Sequence, residues 1–204
     1  MKYPRTYHLP YSPGSTSDDK MLKDDSAFRG KSVIVTEKLD GENLSLHSDK
    51  IHARSENMRG HESQSFAHRI HAQVKYLLPE NIQIVGEYLY AQHSIFYGDL
   101  TSFFYVVAVI DKDKNEFLSW EETKSWAERL GLPIVPTLYE GIYDPKFKTP
   151  KVSKFGSEIE GYVVRISTGF NVTDFSSSVA KWVRTNHITT DDDWRTSWKP
   201  NKLK

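Results

Sequence analysis

The sequence contains no cysteine, and this absence excludes disulfides, thiolate catalysis and zinc sites built on sulfur ligands. It also lacks any apolar run long enough to cross a membrane, and its start, MKYPR, has no hydrophobic leader. We therefore expect a cytoplasmic protein with no membrane partner. An excess of one charge sign is missing as well, because 27 basic residues balance 27 acidic ones. Any surface for nucleic acid must therefore be local.

The 204 residues suffice for one good core, and we expect a single domain over residues 1–204. Residues 1–31 are rich in Pro, Ser, Asp and Gly and have no periodicity. They indicate either an N-terminal arm that packs through Tyr3, Tyr7, Leu9 and Tyr11 or a solvated leader. Residues 185–204 mix Trp with Lys and Arg, which fits either a short nucleic-acid-binding tail or a frayed terminus.

Short apolar or alternating stretches predict that strands outnumber helices. The predicted strands lie near residues 33–38, 44–46, 50–55, 83–92, 103–111, 160–166 and 178–184. The helices occur singly between them, so an α+β fold is favoured over a doubly wound one.

Two helices are predicted from spacing and capping. Residues 63–78 place four apolar side chains on one face before Pro79: Phe66, Ile70, Val74 and Leu77. Ser119 and Glu122 form a capping box for the second helix, and Gly131 is placed to end it.

Lys38 lies at the end of an apolar strand and beside a tight acidic turn. Asp40-Gly41 is a strong reversal signal, so residues 33–46 predict a hairpin, with residues 50–55 as the next strand of a meander. A lysine held at a strand end is partly removed from bulk water, and this favours a nucleophilic amine.

Three later strands carry charges where a core strand would have apolar residues: Glu87, Glu160 and Lys181. Buried charges are costly unless they are paired or functional. Each one alone is compatible with a solvated strand face. Together with Lys38 they indicate one site assembled from several strands.

The ordered motifs resemble those of the covalent nucleotidyltransferases, and among them the ATP-dependent RNA ligases of the RNA ligase 2 type. The matching segments are residues 37–43 (EKLDGEN), 86–90 (GEYLY), 160–165 (EGYVVR) and 179–184 (VAKWVR). The resemblance implies a nucleotidyltransferase fold of largely antiparallel sheets with an ATP-grasp-like architecture. It further implies an enzyme that joins RNA 5′-phosphate and 3′-hydroxyl ends.

The resemblance also implies a role for each charged residue. Lys38 would attack the α-phosphate of ATP and carry AMP, and Lys181 would neutralise that phosphate. Glu160 would hold hydrated Mg²⁺, or Mn²⁺ in its place. We expect burial and cations, namely Lys181, Arg54 and the metal, to lower the pKa of Lys38. Lys181 and Arg54 are also compatible with exposed surface residues.

The remaining nucleotide contacts would come from residues around these motifs. Glu87 would accept hydrogen bonds from the ribose hydroxyls, and Glu37 and Leu39 would contact the adenosine. The family commonly stacks an aromatic side chain on adenine, but the corresponding residue here is Val107. We expect Tyr105, on the same strand face, to replace it.

Asn43, Arg54 and Arg184 would bind the RNA, and Arg54 would contact either the nucleotide or the incoming RNA phosphate. No separate C-terminal OB or RNA-binding domain is expected, so a partner protein is the candidate source of further RNA contacts. His187 is either a phosphate contact or a solvated residue. Three alternatives stay open: a DNA ligase, a capping-type guanylyltransferase, and a non-catalytic binding module with the same fold.

Overall fold

The computed structural model describes residues 1–55, 62–185 and 198–204, which form a mixed fold of two sheets and three α-helices. The strands are β1 Tyr7–His8, β2 Ser32–Lys38, β3 Glu42–Leu46, β4 Ile51–Ala53, β5 Ile82–Tyr88, β6 Phe104–Asp111, β7 Glu116–Phe117, β8 Thr137–Ile142, β9 Gly161–Ile166, β10 Phe170–Asn171 and β11 Val179–Val183. The helices are α1 Ser65–Val74, α2 Trp120–Leu130 and α3 Phe175–Ser178. The predicted α+β class is confirmed.

The first sheet has the strand order β1-β11-β9-β2-β8, and the second has the order β10-β7-β6-β5-β3-β4. Pairings between these strands are antiparallel except for the parallel pair of β1 and β11. Strands from distant parts of the sequence therefore lie side by side.

The predicted hairpin around Lys38 is wrong in its pairing. β2 pairs with β8 and β9 in the first sheet, whereas β3 pairs with β4 and β5 in the second. The Asp40-Gly41 turn therefore carries the chain from one sheet to the other. Turn residues specify a reversal but not which strands pair after it, and here the longer-range pairings decide.

The capped helix is confirmed and the first helix is shorter than predicted. Ser119 and Glu122 exchange the capping-box hydrogen bonds of α2, and Gly131 ends it with a φ of 65°. α1 stops at Val74 and continues as a 3₁₀ turn, which leaves Leu77 exposed because the tighter winding rotates it off the buried face. No helix in the described ranges is long and apolar enough to span a membrane.

An apolar layer joins the facing sides of the two sheets. Val85 and Ala108 of the second sheet pack in one cluster with Val179 of the first, together with Phe117 and Phe175. Helices α1 and α2 pack in a separate cluster with the second sheet. Beyond the layer between the sheets the facing side chains become charged, and there a cleft opens.

The N-terminal arm is part of the first sheet rather than a solvated leader. Within it, β1 lies against β11, and the backbone of Leu9 donates to the carbonyl of Lys181. Tyr3 and Leu9 are buried as predicted, whereas Tyr7 is half-buried and Tyr11 is exposed. The arm therefore reaches the cleft from the side of β11.

Candidate active site

A cavity of about 520 Å³ lies between the two sheets at the Lys38 turn. Its walls include Lys38 from β2, Asn43 from β3, Glu87 from β5 and Lys181 from β11. The structure thus brings together four of the predicted site residues, although they are distant in sequence. A charged cavity of this size is a suitable site for a small polar ligand.

The Lys38 turn is held by backbone amides and by a glycine. The Asp40 carboxylate accepts hydrogen bonds from the amides of Ser94 and Ile95, at 2.7 and 3.0 Å. Gly41 donates its amide to Glu87, and a Cβ atom at Gly41 would overlap the carbonyl oxygen of Tyr88. Only glycine fits this close backbone approach, so the turn fixes where the Lys38 side chain begins.

Glu160 lies immediately beside the amine of Lys38, with both carboxylate oxygens 2.6 Å from Nζ. Burial lowers the pKa of Lys38, but the carboxylates of Glu160, Asp40 and Glu87 outweigh it, so the pKa is raised. The expected lowering is therefore wrong for the ligand-free protein. Carboxylates surround this amine more closely than cations do, and they stabilise its charged form.

Glu87 is a half-buried acid with an unusual pKa. It lies opposite Asn43 in the pairing of β5 with β3 and lines the cavity. Burial raises its pKa to about 7, and repulsion from Glu160 and Asp40 adds to this, while Lys38 opposes it. The site thus holds more negative charge than its single adjacent lysine neutralises, which favours binding of a further cation or of hydroxyl donors.

Lys181 contacts a residue that the sequence analysis missed. Asp19 of the N-terminal arm lies 3.3 Å from Lys181 Nζ, and the same carboxylate lies 3.3 Å from His8 Nε2 and 3.7 Å from Arg5. Burial and Lys38 lower the pKa of Lys181, whereas Asp19 raises it. The Asp19 carboxylate accepts hydrogen bonds from the backbone amide and the hydroxyl of Thr16. This local turn is the only signal for Asp19 in the sequence.

Three further predicted residues line the cavity beside Asn43: Glu37, Leu39 and Arg54. The Oδ1 atom of Asn43 and both oxygens of Glu37 are buried and accept no well-formed hydrogen bond. Burial raises the pKa of Glu37 despite the nearby Ser153 hydroxyl and Lys154 amide. Unpaired buried polar atoms in a cavity wall are expected where a ligand completes the hydrogen bonding.

Tyr105 does not line the cavity, contrary to the sequence analysis, and Val107 does. The Tyr105 hydroxyl accepts from the amide of Thr101, and its ring packs against Phe155. The register between β5 and β6 shifts beside Val107, so the strict alternation of faces that related Tyr105 to Val107 does not hold along β6. Residues 105 and 107 therefore do not serve the same surface.

Arg184 is also absent from the cavity wall. Its side chain donates to the carbonyl of Ile159 and pairs with Glu158, and its amide donates to the carbonyl of Glu160. These contacts hold the segment before β9 and so support Glu160 from behind. His187, Trp194 and Arg195 lie outside the described residues.

Arg165 on β9 is a second residue that the sequence analysis missed. It is buried, lines the cavity, donates to the carbonyl of Val107 and lies over the ring of Trp120. Its Nε has no hydrogen-bond partner, and within the described ranges no carboxylate pairs with it. Val163 and Arg165 are two positions apart on β9 and both line the cavity. This alternation along the strand was the sequence signal that could have indicated Arg165.

The model of the RNA ligase family matches residues 31–183, which is most of the chain. The chain belongs to the RNA ligase family. The match begins next to β2 and ends in β11. It therefore contains all four charged residues of the predicted site: Lys38, Glu87, Glu160 and Lys181.

Solved structures of an RNA ligase share this fold. A ligand-free variant of the Naegleria gruberi RNA ligase matches with a TM-score of 0.60 at 15% identity, over 93% of this chain and 60% of that one. A variant of the same enzyme with ATP and Mn gives 0.60 at 16% identity, over 94% and 60%. The enzyme with PPi gives 0.59 at 18% identity, over 90% and 60%.

The family member described here spans about 60% of the length of these solved RNA ligases. A comparison with curated protein sequences found no match. The fold and the family are therefore established by the comparisons, and the chemistry has to be argued from the cavity.

Proposed function

We propose that this RNA ligase family member is an ATP-dependent RNA ligase, organised as one nucleotidyltransferase domain, in which Lys38 carries AMP covalently. The observation that carries the proposal is the placement of the Lys38 amine in a 520 Å³ cavity with Lys181, Glu87 and an adjacent Glu160. An amine nucleophile, a second cation and carboxylates are the groups that phosphoryl transfer to lysine requires.

The proposed reaction has three steps. The neutral Lys38 amine attacks the α-phosphorus of ATP, the bond to the β-phosphate breaks, and pyrophosphate leaves as the amine gives up a proton. An oxygen of the RNA 5′-phosphate then attacks the same phosphorus, so that the P–N bond breaks and AMP becomes joined to the RNA end. Finally the 3′-hydroxyl attacks the RNA 5′-phosphate, forming the new phosphodiester and releasing AMP.

The cavity residues support distinct parts of the nucleotide. Lys181 is placed to neutralise charge on the α-phosphate, for which a compact ammonium group is well suited. Glu87 can accept from two ribose hydroxyls, and Glu37 and Leu39 lie on the wall beside the nucleophile. With Tyr105 outside the cavity, the apolar contact to adenine comes instead from Val107.

Two groups in the cavity wall are assigned to RNA. Asn43 has an unsatisfied Oδ1, and Arg54 is exposed at the cavity rim, where it can contact a phosphate. Arg184 remains in the proposal only as a support for Glu160. A partner protein that adds RNA contacts is also part of the proposal.

A divalent metal fits the donor set at Lys38. Glu160 is a buried carboxylate and Glu87 a half-buried one, both with raised pKa values, and Mg²⁺ and Mn²⁺ prefer such oxygen ligands. In the described part of the chain no group of three or more acidic or histidine side chains surrounds a metal position. The ion would therefore be held by Glu160 and keep most of its waters. Its chemistry would be charge neutralisation of the α-phosphate.

The direct test is self-labelling with α-labelled ATP and Mg²⁺, followed by a denaturing gel. We expect a labelled protein band that disappears in Lys38→Ala and persists in Lys31→Ala, an exposed lysine next to β2. An unlabelled wild-type protein, or a labelled Lys38→Ala variant, would contradict the proposal.

Parallel assays separate the alternatives. Labelling by α-labelled GTP in preference to ATP would indicate a capping-type enzyme. Joining of nicked DNA but not of nicked or single-stranded 5′-phosphorylated RNA would indicate a DNA ligase. RNA binding without any label would indicate a non-catalytic module. An AMP adduct without joining of any RNA would indicate an activating subunit that needs its partner.

A further inference from the structure

The C-terminal segment, residues 198–204, is packed rather than frayed. It forms bridges with residues 91 and 100, and its backbone exchanges hydrogen bonds with Tyr97 and Leu100. Asn201 is its most buried residue, at 3% exposure. Its amide donates to Tyr90, its Nδ2 donates to the carbonyl of Leu89 at 2.7 Å, and its Oδ1 accepts from the amide of Tyr97 at 2.9 Å.

Asn201 binds residues 89–100, which we call the 89–100 loop. The same loop also contacts the Lys38 turn. Tyr97 is fully buried there, and its hydroxyl accepts from the amide of Asp40 at 2.9 Å. The amides of Ser94 and Ile95 donate to the Asp40 carboxylate. An unbroken series of hydrogen bonds thus runs from Asn201 through the loop to the residue two positions after Lys38.

We propose that Asn201 is a positioning residue for Lys38, acting through Tyr97 and Asp40. The 89–100 loop has no named strand or helix of its own, so its shape depends on such contacts. Without the Asn201 side chain, the buried amide of Tyr97 and the carbonyl of Leu89 lose their partners. The Tyr97 hydroxyl is then no longer positioned to accept the hydrogen bond from the Asp40 amide, and the Lys38 turn becomes less ordered.

A loosened turn affects the attack more than nucleotide binding. Nucleophile and phosphorus must meet within a few tenths of an ångström, and misplacement by 1 Å costs about 100-fold in rate. Lys181, Glu87 and Val107 lie on other strands and keep their places. The expected signature is therefore a slower chemical step at saturating nucleotide.

The kinetic test rests on the proposed function. We expect Asn201→Ala to lower the rate of AMP labelling at saturating ATP by about 10- to 100-fold, with the ATP concentration for half-maximal rate changing less than about threefold. The matched control is Lys202→Ala, an exposed neighbour on the same segment, which should stay within about twofold of wild type. Tyr97→Phe removes the hydroxyl below Asp40, and in the double variant the two losses should not multiply.

A second measurement is independent of activity. Hydrogen exchange of a peptide covering residues 36–46 should be faster in Asn201→Ala than in wild type or Lys202→Ala, while a peptide from β9 is unchanged. Unchanged exchange at the turn, wild-type labelling by Asn201→Ala, or fully multiplicative losses would overturn the inference. If wild type itself forms no adduct, the proposed function fails, and the exchange comparison still decides whether Asn201 orders the turn.

Discussion

Lys38 donates to both carboxylate oxygens of Glu160, each 2.6 Å from Nζ, across the pairing of β2 with β9. The Lys38 side chain is only 24% exposed, and that of Glu160 is 6% exposed. A carboxylate in this position stabilises the protonated amine, which cannot act as a nucleophile. Anything that binds Glu160 in place of Lys38 would release the amine.

The first prediction concerns this pair. Glu160→Gln removes the largest effect that raises the pKa of Lys38, so the pKa falls and more neutral amine is present at pH 8. Acylation of Lys38 by acetic anhydride, measured by mass spectrometry, should become faster than in the wild-type protein, because only the neutral amine reacts. The control is Glu158→Gln, an exposed neighbour. An unchanged rate in Glu160→Gln would refute the electrostatic assignment.

A second prediction concerns Asp19. Asp19 raises the pKa of Lys181, whereas burial and Lys38 lower it, so Asp19→Asn should leave Lys181 deprotonated at lower pH. The alkaline limit of AMP labelling should therefore move to lower pH. Asp18→Asn, an exposed neighbour, should keep the wild-type profile. A profile that is the same in all three proteins would remove Asp19 from the site.

A third prediction tests the close approach at Gly41. Gly41→Ala places a methyl group against the Tyr88 carbonyl, so the backbone must shift, at a cost of about 1–3 kcal/mol in unfolding free energy. At Gly98 the nearest atom to an added Cβ is 3.4 Å away on a Phe96 ring, so Gly98→Ala is the tolerant control. Urea unfolding compares the two. Equal stability of both variants would contradict the packing described here.

The fourth prediction is acid sensitivity through His47. Burial, and then His52, lowers the pKa of His47 to about 3. The unfolded chain takes up this proton near pH 6.5, so between pH 6.5 and 3 the unfolded state binds more protons and stability falls as pH falls. From pH 7 to 5 the loss should be about 2 kcal/mol.

The variant His47→Gln should lose this part of the pH dependence, whatever its stability at pH 7. His68→Gln, on the exposed side of α1, should keep it. Urea unfolding at the two pH values measures the difference. An undiminished slope in His47→Gln would show that other groups cause the acid sensitivity.

Local sequence patterns predicted the helices and strands. Which strands pair with one another is decided by contacts between distant parts of the chain. The capping box of α2 depends on residues within one turn, so the sequence contained all of it. The Asp40-Gly41 turn was equally local, but the partners of β2 lie in β8 and β9, more distant in the chain. The hairpin prediction failed because pairing energy depends on the whole sheet.

The sequence motifs predicted that the charged residues converge on one site, but they did not predict which other residues contact them. Glu87 and Lys181 lie within apolar strands, and Lys38 and Glu160 lie at strand ends. The conflict of these charges with burial is visible in the sequence. Asp19 lies in a loop with no periodicity, so nothing local connects it to Lys181. The exchange of Tyr105 for Val107 required knowledge of an irregular register between two strands.

The pairing of β1 with β11 also bears on how the protein is made. Contacts between distant segments form slowly, because a long chain must be closed before they gain any stability. During synthesis Lys38 emerges well before β9, β11 and Asp19's partner Lys181 exist. An unfinished chain therefore exposes Lys38 without the cavity around it, and the order of the strands delays assembly of that cavity until β11 has been synthesised.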